Sequence, residues 1–451
     1  MKLSGVWAVG LLYIASGMGS LCANALDAPQ PTVHHSKSQP HLSTSHRATT
    51  HHTVTHSSSA HATSSSTHSA TVHSSTRVAM GHHTVSHAGV NTPATTASTG
   101  AHLQRASIHR RHHYYERFTA SSFVPGGVGQ GDITAGEDPV VRQAAIDALG
   151  DMNGTAVVID PSNGRILAMV NQKLALSPGA EPCSTIKLTV ALAALSEGIV
   201  TSDTMVQLAG FRMDMTQALA KSNNLYFEEM GRELGFERVH HYANEFGLGE
   251  LAGYNISGEQ LGEYPDQPIA QSEGGVGRMC SFGQGVSLTP LQLGAFVASI
   301  ANGGTLYYLQ HPTSPDEVAA FQPKIKRTLD IAKYVPSLED GMAGAVEYGT
   351  ARSLRTNFRA LPVFGKTGTC SNDGTRYGWF ASYSESPQGG LVTVFFLEGG
   401  RPTFGPRAAE LTGEFYKNLW DRDYFTTKMQ EAQSASTDAP AASADTAHSA
   451  Q

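Results

Sequence analysis

Glu181-Pro182-Cys183-Ser184-Thr185-Ile186-Lys187 runs directly into a Leu- and Ala-rich stretch that closes at Glu197-Gly198. That junction decides the reading of the fold. The apolar run predicts a helix over 186–198, with Pro182 just ahead of it. On a helix, Ser184 and Lys187 share one face about one turn apart. A serine hydroxyl is a weak nucleophile until a base takes its proton, and a lysine whose pKa is lowered by burial and nearby cations can be that base. The free N–H groups of a helix start also point to where an oxyanion would form on acylation of Ser184. Taken alone, the same four residues describe an ordinary helix start with a solvated lysine, and four-residue matches carry a high false-positive risk.

Two later strings change the weight of the first. Ser222-Asn223-Asn224 sits between apolar segments of helical character, at 213–221 and 225–234. As an isolated triplet it is a cap. As a companion of Ser184 it supplies Ser222 as a proton relay near Lys187, and Asn224 as a ligand for a substrate amide. Lys366-Thr367-Gly368-Thr369 continues the apolar strand begun by Pro362-Val363-Phe364. Gly368 lets a substrate backbone approach the strand edge. Lys366, Thr367 and Thr369 can hold a carboxylate, and the Thr369 N–H can join that of Ser184 around an oxyanion. The bland alternative is an exposed edge strand guarded by a lysine.

The rest of the folded part alternates between strand and helix signals. A helix is expected over 138–149. A hairpin follows, formed by strands at 154–160 and 165–170 around the turn Pro161-Ser162-Asn163-Gly164. Helical periodicity returns at 289–301. Strands are expected at 362–369, 377–383 and 391–397, and a closing helix at 408–420 carries Leu411, Phe415 and Leu419 on one face. Strands at both ends with helices between them predict an antiparallel sheet packed against a helical region.

The three strings occur in the order S-x-x-K, S-x-N, K-T-G, and the chain resembles the penicillin-binding proteins and serine β-lactamases that carry this set. Glu181–Lys187 is similar to the E-P-G-S-T-F-K signature of penicillin-binding transpeptidases. Gly283-Gln284-Gly285, Thr289-Pro290-Leu291-Gln292, Gly349-Thr350-Ala351 and Gly378-Trp379-Phe380 resemble further segments of that family, so the likeness runs from about 154 to 419. It implies an α+β fold of β-lactamase/transpeptidase type: a central antiparallel sheet packed against helices, an all-helical lobe, and an active site between them. It also implies a D,D-transpeptidase or D,D-carboxypeptidase acting on peptidoglycan stem peptides and inhibited by β-lactams. A serine β-lactamase and a non-catalytic β-lactam sensor are the alternatives. Fast hydrolysis of an acyl-enzyme needs a placed base, and neither E-x-x-L-N nor Y-G-N is present; Tyr242-Ala243-Asn244 falls after the S-x-N string and is read as a decoy. Cys183 stands where the family has glycine, and the 38-residue step from Ser184 to Ser222 suggests a trimmed helical lobe.

Composition bounds the domain. Between 31 and 115 the 451-residue chain is almost entirely His, Ser, Thr, Ala and Val, holds 17 of the 21 histidines, and has no Asp or Glu. Such a tract has too little apolar surface to offset chain entropy, so residues 26–135 are expected to be a disordered tether. The catalytic domain is placed at 136–427, with an Ala/Ser-rich disordered tail at 428–451. Residues 1–25 read as a signal peptide, or an uncleaved anchor, ending in Ala23-Asn24-Ala25. Export to the periplasm or the outer face of the inner membrane follows, with cell-wall or membrane-associated partners possible there. Residues 116–451 hold 24 Lys and Arg against 37 Asp and Glu, a net of −13, which disfavours nucleic acid as a partner. The clustered histidines have no fixed ligand spacing, so no metal site and no cofactor are expected. After cleavage three cysteines remain, Cys183, Cys280 and Cys370, which allow one disulfide at most. Buried inert thiols are the expectation for the two that flank the motifs.

Overall fold

The computed structural model of the chain describes residues 119–386, 390–428 and 430. The expected signal segment, the histidine-rich tract to 118 and nearly all of the expected tail lie outside the described residues.

Five strands form the central sheet: β1 (Gly154–Ile159), β2 (Ile166–Val170), β3 (Val363–Asn372), β4 (Thr375–Ser384) and β5 (Leu391–Gly399). Their spatial order is β2-β1-β5-β4-β3, with every neighbouring pair antiparallel. The strand from the N-terminal hairpin therefore pairs with the last strand of the chain, and β3 is left at an edge. The side chains of β1 sort by the two-residue period of a strand. Val157 and Ile159 join one core with Trp379, Ala381, Val394 and Phe396. Ala156 and Val158 join a second core with Phe380, Phe395 and Leu397. Both faces of the sheet are covered, which is why β1 and β2 read as unbroken apolar runs.

The second core is closed by α1 (Pro139–Leu149), and the matching closing helix near the C-terminus contributes Leu411, Phe415 and Leu419. The helices of the other side are α2 (Lys187–Ser196), α3 (Met215–Ala220), α4 (Asn224–Glu245), α5 (Gly275–Phe282), α6 (Pro290–Ala301) and α7 (Val335–Glu347), and the closing helix is α8 (Gly405–Asp421). Residues 187–195 of α2 are all buried, as an all-round apolar helix must be. The capping box of Thr289 and Gln292 starts α6, where Thr289 Oγ1 accepts from the Gln292 N–H and Gln292 Oε1 accepts from the Thr289 N–H.

The expected elements lie close to their predicted places, with three differences of physical interest. The helix expected from 213 starts at Met215, because Phe211–Met213 pairs with Val206–Leu208 in a small hairpin. The helix expected over 225–234 runs on to Glu245, bending at Gly235, whose φ of 74° only glycine adopts freely. The tether boundary at 135 is also too late. Phe123 bridges Met152, the Val124 N–H donates to Asp151 O, and Ser122 is buried against Arg401 and Gly400. Polar composition hid this segment, because it packs through backbone hydrogen bonds, one ion cluster and the isolated side chains of Phe123 and Val128, and not through an apolar stripe. No helix among the described residues is long and apolar enough to cross a membrane.

Candidate active site

Ser184 lies in the short 3-10 turn Cys183–Ile186, and α2 begins at Lys187. The tighter turn leaves Ser184 half-exposed while Cys183, Thr185 and Lys187 are buried. Lys187 Nζ stands 3.0 Å from Ser184 Oγ, so the predicted one-turn pairing is present. Ser222 precedes α4 at a φ of 52°, a left-handed conformation unusual for serine. Asn223 caps that helix, accepting the Tyr226 N–H at 2.9 Å. The cap reading of the triplet therefore falls on Asn223, while Ser222 and Asn224 on either side of it face Lys187.

Lys187 Nζ also donates to Ser222 O at 2.9 Å and to Asn224 Oδ1 at 2.6 Å, and Ser222 Oγ lies at 3.2 Å. Ser222 O and Asn224 Oδ1 can only accept. A neutral lysine spends its two N–H groups on them and keeps its lone pair for the Ser184 hydroxyl. Electrostatics favour that neutral form. Burial pushes the Lys187 pKa well below the ordinary lysine value, the neighbouring Lys366 charge pushes the same way, and Glu228 only partly opposes them. Among the described residues no carboxylate hydrogen-bonds Ser184 or Lys187.

Lys366 departs from its expected place. It is fully buried, and its Nζ donates to Ser222 Oγ and to Thr367 O, both at 2.9 Å. Burial brings its pKa down to about 7. It therefore stands behind the Ser222 hydroxyl, not as an open cation for a carboxylate and not as a guard on a solvent edge. Thr367 and Thr369 lie on β3 beside the site. Thr367 Oγ1 is 2.6 Å from Thr350 Oγ1, and Thr369 Oγ1 accepts the Gly405 N–H at the start of α8 at 2.8 Å. Thr369 is exposed and keeps its hydroxyl proton to donate. A Cβ on Gly368 would lie 2.7 Å from Pro182 O; only glycine lets β3 lie against the turn that carries Ser184.

Sequence reasoning missed Thr350 as a partner of the K-T-G strand, although the Gly349-Thr350-Ala351 string marked the place. It was also wrong about two of the thiols: Cys183 and Cys370 form a disulfide, and Cys280 is the free, buried thiol. Nothing in a linear sequence pairs two positions 187 residues apart. Tyr242 and Asn244, set aside as a decoy, lie along α4, where the Tyr242 hydroxyl donates to Glu197 at 2.8 Å.

The described clefts outside this arrangement do not contain Ser184 or Lys187. One, of about 890 Å³, is lined by Arg352, Arg355 and Arg359 and touches the site only through Thr350.

Comparison with known proteins agrees with this geometry. The chain is 29% identical over 256 residues to the penicillin-binding protein PbpB of Mycolicibacterium smegmatis, covering 49% of this chain and 37% of the relative. It is 28% identical over 257 residues to the stage V sporulation protein D of Bacillus subtilis, covering 48% and 39%. The chain thus spans less than two fifths of the length of these curated relatives. Among solved structures, a peptidoglycan glycosyltransferase from Burkholderia ambifaria superposes with a TM-score of 0.55 at 20% identity, covering 64% of this chain and 97% of the other. The apo form of penicillin-binding protein 3 from Mycobacterium tuberculosis gives 0.53 at 22%, covering 64% and 77%. The sequence pattern of the penicillin binding protein transpeptidase domain matches residues 154–417, which hold Ser184, Lys187, Ser222, Asn224 and Lys366. With that match covering more than half of its length, the chain belongs to the penicillin-binding protein transpeptidase domain family.

Proposed function

We propose that this protein is a serine D,D-transpeptidase or D,D-carboxypeptidase of peptidoglycan stem peptides, working outside the bacterial inner membrane and inactivated by β-lactams. The observation that carries the proposal is the buried lysine pair around one serine hydroxyl: Lys187 and Lys366 both reach Ser222 Oγ, and Lys187 also reaches Ser184 Oγ. Relatives named peptidoglycan D,D-transpeptidase, such as FtsI of Escherichia coli at 26% identity over 184 residues, support the substrate class.

In the proposed reaction Lys187 takes the Ser184 proton as Ser184 Oγ attacks the carbonyl carbon of the penultimate D-alanine. The backbone N–H groups of Ser184 and Thr369 receive the oxyanion. Ser222 then passes its own proton to the leaving D-alanine nitrogen and takes in exchange the proton that Lys187 removed from Ser184, while Lys366 holds the Ser222 hydroxyl in line. Thr367 and Thr369 seat the substrate's terminal carboxylate, with Gly368 between them packed on Pro182, and Asn224 fixes Lys187 through Oδ1, leaving its amide N–H groups for the substrate. An amine or water finally takes the acyl group from Ser184. A β-lactam follows the first half of this course by ring opening. Its ester persists, since among the described residues no carboxylate is hydrogen-bonded to Ser184 or Lys187 to activate water.

Intact-mass spectrometry after a penicillin tests the proposal. The expected result is one stable adduct, absent from Ser184→Ala. An adduct on Ser184→Ala refutes the nucleophile assignment, and fast turnover of nitrocefin by the wild type moves the protein to the β-lactamases.

A further inference from the structure

The two walls of the proposed site are joined covalently. Cys183, the residue before Ser184, is bonded to Cys370, the residue after Thr369, across a Cα–Cα distance of 5.6 Å. Cys183 has a φ of 53°, a left-handed conformation in which a side chain carrying Cβ is strained. The same walls also meet without the bond. Trp379 Nε1 donates to Glu181 O at 3.0 Å, and Gly368 packs on Pro182. Gly283 closes the turn from behind, since a Cβ there would lie 2.6 Å from the Pro182 ring.

We propose that the Cys183–Cys370 disulfide is a positioning device for Ser184. It holds the left-handed turn that aims the nucleophile at the K-T-G strand, so that reduction by a dithiol slows acylation and reoxidation restores it. The inference rests on the proposed acyl transfer. A residue free of Cβ strain would hold this turn unaided; a cysteine holds it because its side chain is tied across the cleft. Without the bond, Cys183 relaxes toward negative φ and carries the adjacent Ser184 away from Lys187 and the β3 edge. The chemistry of release balances. A dithiol's thiolate attacks Cys370 Sγ, the half-buried sulfur, and Cys183 Sγ leaves as a thiolate that takes a proton. The second thiol of the reagent then displaces Cys370, leaving two protein thiols and one reagent disulfide. Cys280 stays outside this exchange, being fully buried with its thiol pushed up to about 12.

The test compares acylation rate constants of the full-length protein with a fluorescent penicillin. Cys370→Ser, which strands Cys183 in the left-handed turn, is expected to acylate about tenfold more slowly than the oxidised wild type. The double variant Cys183→Gly/Cys370→Ser lacks the cross-link equally but relieves the turn, and is expected to recover to within about threefold. A cross-link that only stabilised the fold would leave both variants alike, because both lose the same loop constraint. Equal rates for Cys370→Ser and the wild type, or a double variant as slow as the single one, overturn the inference. Should Cys370→Ser fail to fold, the wild type treated with dithiothreitol and then reoxidised gives the answer, and an unchanged rate overturns the inference. If the oxidised wild type forms no adduct at all, the proposed function fails first, and the two failures are told apart.

Discussion

Two clusters of cations in this domain, one around Arg142 and one around Ser222, are built on opposite plans. Near the start of the described chain, the Arg142 guanidinium donates to Asp132 at 2.7 Å and to Glu137 at 2.8 Å. The other oxygen of Glu137 accepts the Met169 N–H, and His311 Nε2 lies 2.9 Å from it. Asp132 accepts the backbone N–H groups of Asn171 and Gln172. Burial works against the Arg142 charge, but its bonds to the two carboxylates outweigh burial and raise its pKa. Around Ser222 the opposite holds: two lysines are buried against hydroxyl, carbonyl and amide oxygens, and both pKa values fall. A buried charge matched by carboxylates becomes a structural tie, whereas one left unmatched gives up its proton and becomes a base. The first cluster pins the segment around 132–137 to the sheet; the second equips the cleft.

The sharpest way to break this contrast is to remove Lys187. Lys187→Met should lower penicillin acylation by about a thousandfold, the scale of a lost general base, while its melting temperature stays level or rises. Stopped-flow acylation and thermal melts read both halves. A melting loss comparable to that of an Arg142 variant would put both clusters in one class.

Arg142→Met tests the structural side. It leaves Asp132 and Glu137 buried without their cation, and breaking a buried pair in this way costs about 3 kcal/mol. Urea unfolding should show that loss, while the folded fraction acylates at the wild-type rate. Slow acylation by fully folded Arg142→Met would mean that the two regions are coupled.

A third expected effect is a pH dependence. Lys366 holds its proton less tightly in the folded chain than in the unfolded one, with a value near 7 against an ordinary 10.5. The unfolded chain therefore binds more protons between those values, and Lys366 makes stability rise with pH across that window. Relative to wild type, Lys366→Met should be most favoured at and below about pH 7, with the advantage shrinking toward pH 10. Paired melts across that range measure it. A constant difference would show that Lys366 is compensated after all, and the contrast with Arg142 would narrow.

Much of this architecture is legible before any coordinates. The helix from 187, the hairpin at 154–170 and the strands at 363–399 follow from local periodicity, because a strand or helix repeats over a few residues. Ser184, Lys187, Ser222, Asn224 and Lys366 are legible as a set because their spacing is short and their order is fixed. The segment 119–135 was not legible. Its hold on the domain comes from backbone hydrogen bonds to Asp151, Asn153 and Arg401, from one ion cluster and from the two isolated apolar side chains of Phe123 and Val128 against the second core, none of which leaves an apolar rhythm behind.

By itself, then, the sequence determined which residues are candidates for the chemistry and which elements hold them, since both are written in spacing. Only the tertiary structure decided how those residues behave. That Lys366 is buried behind Ser222 and not open to solvent, that Cys183 finds Cys370, and that Thr350 backs Thr367 all depend on segments brought together from distant parts of the chain. A pKa is set by everything packed around a group, and a disulfide forms only where two Cα atoms end up within reach. Neither the surroundings nor the approach is a property of any short stretch of sequence.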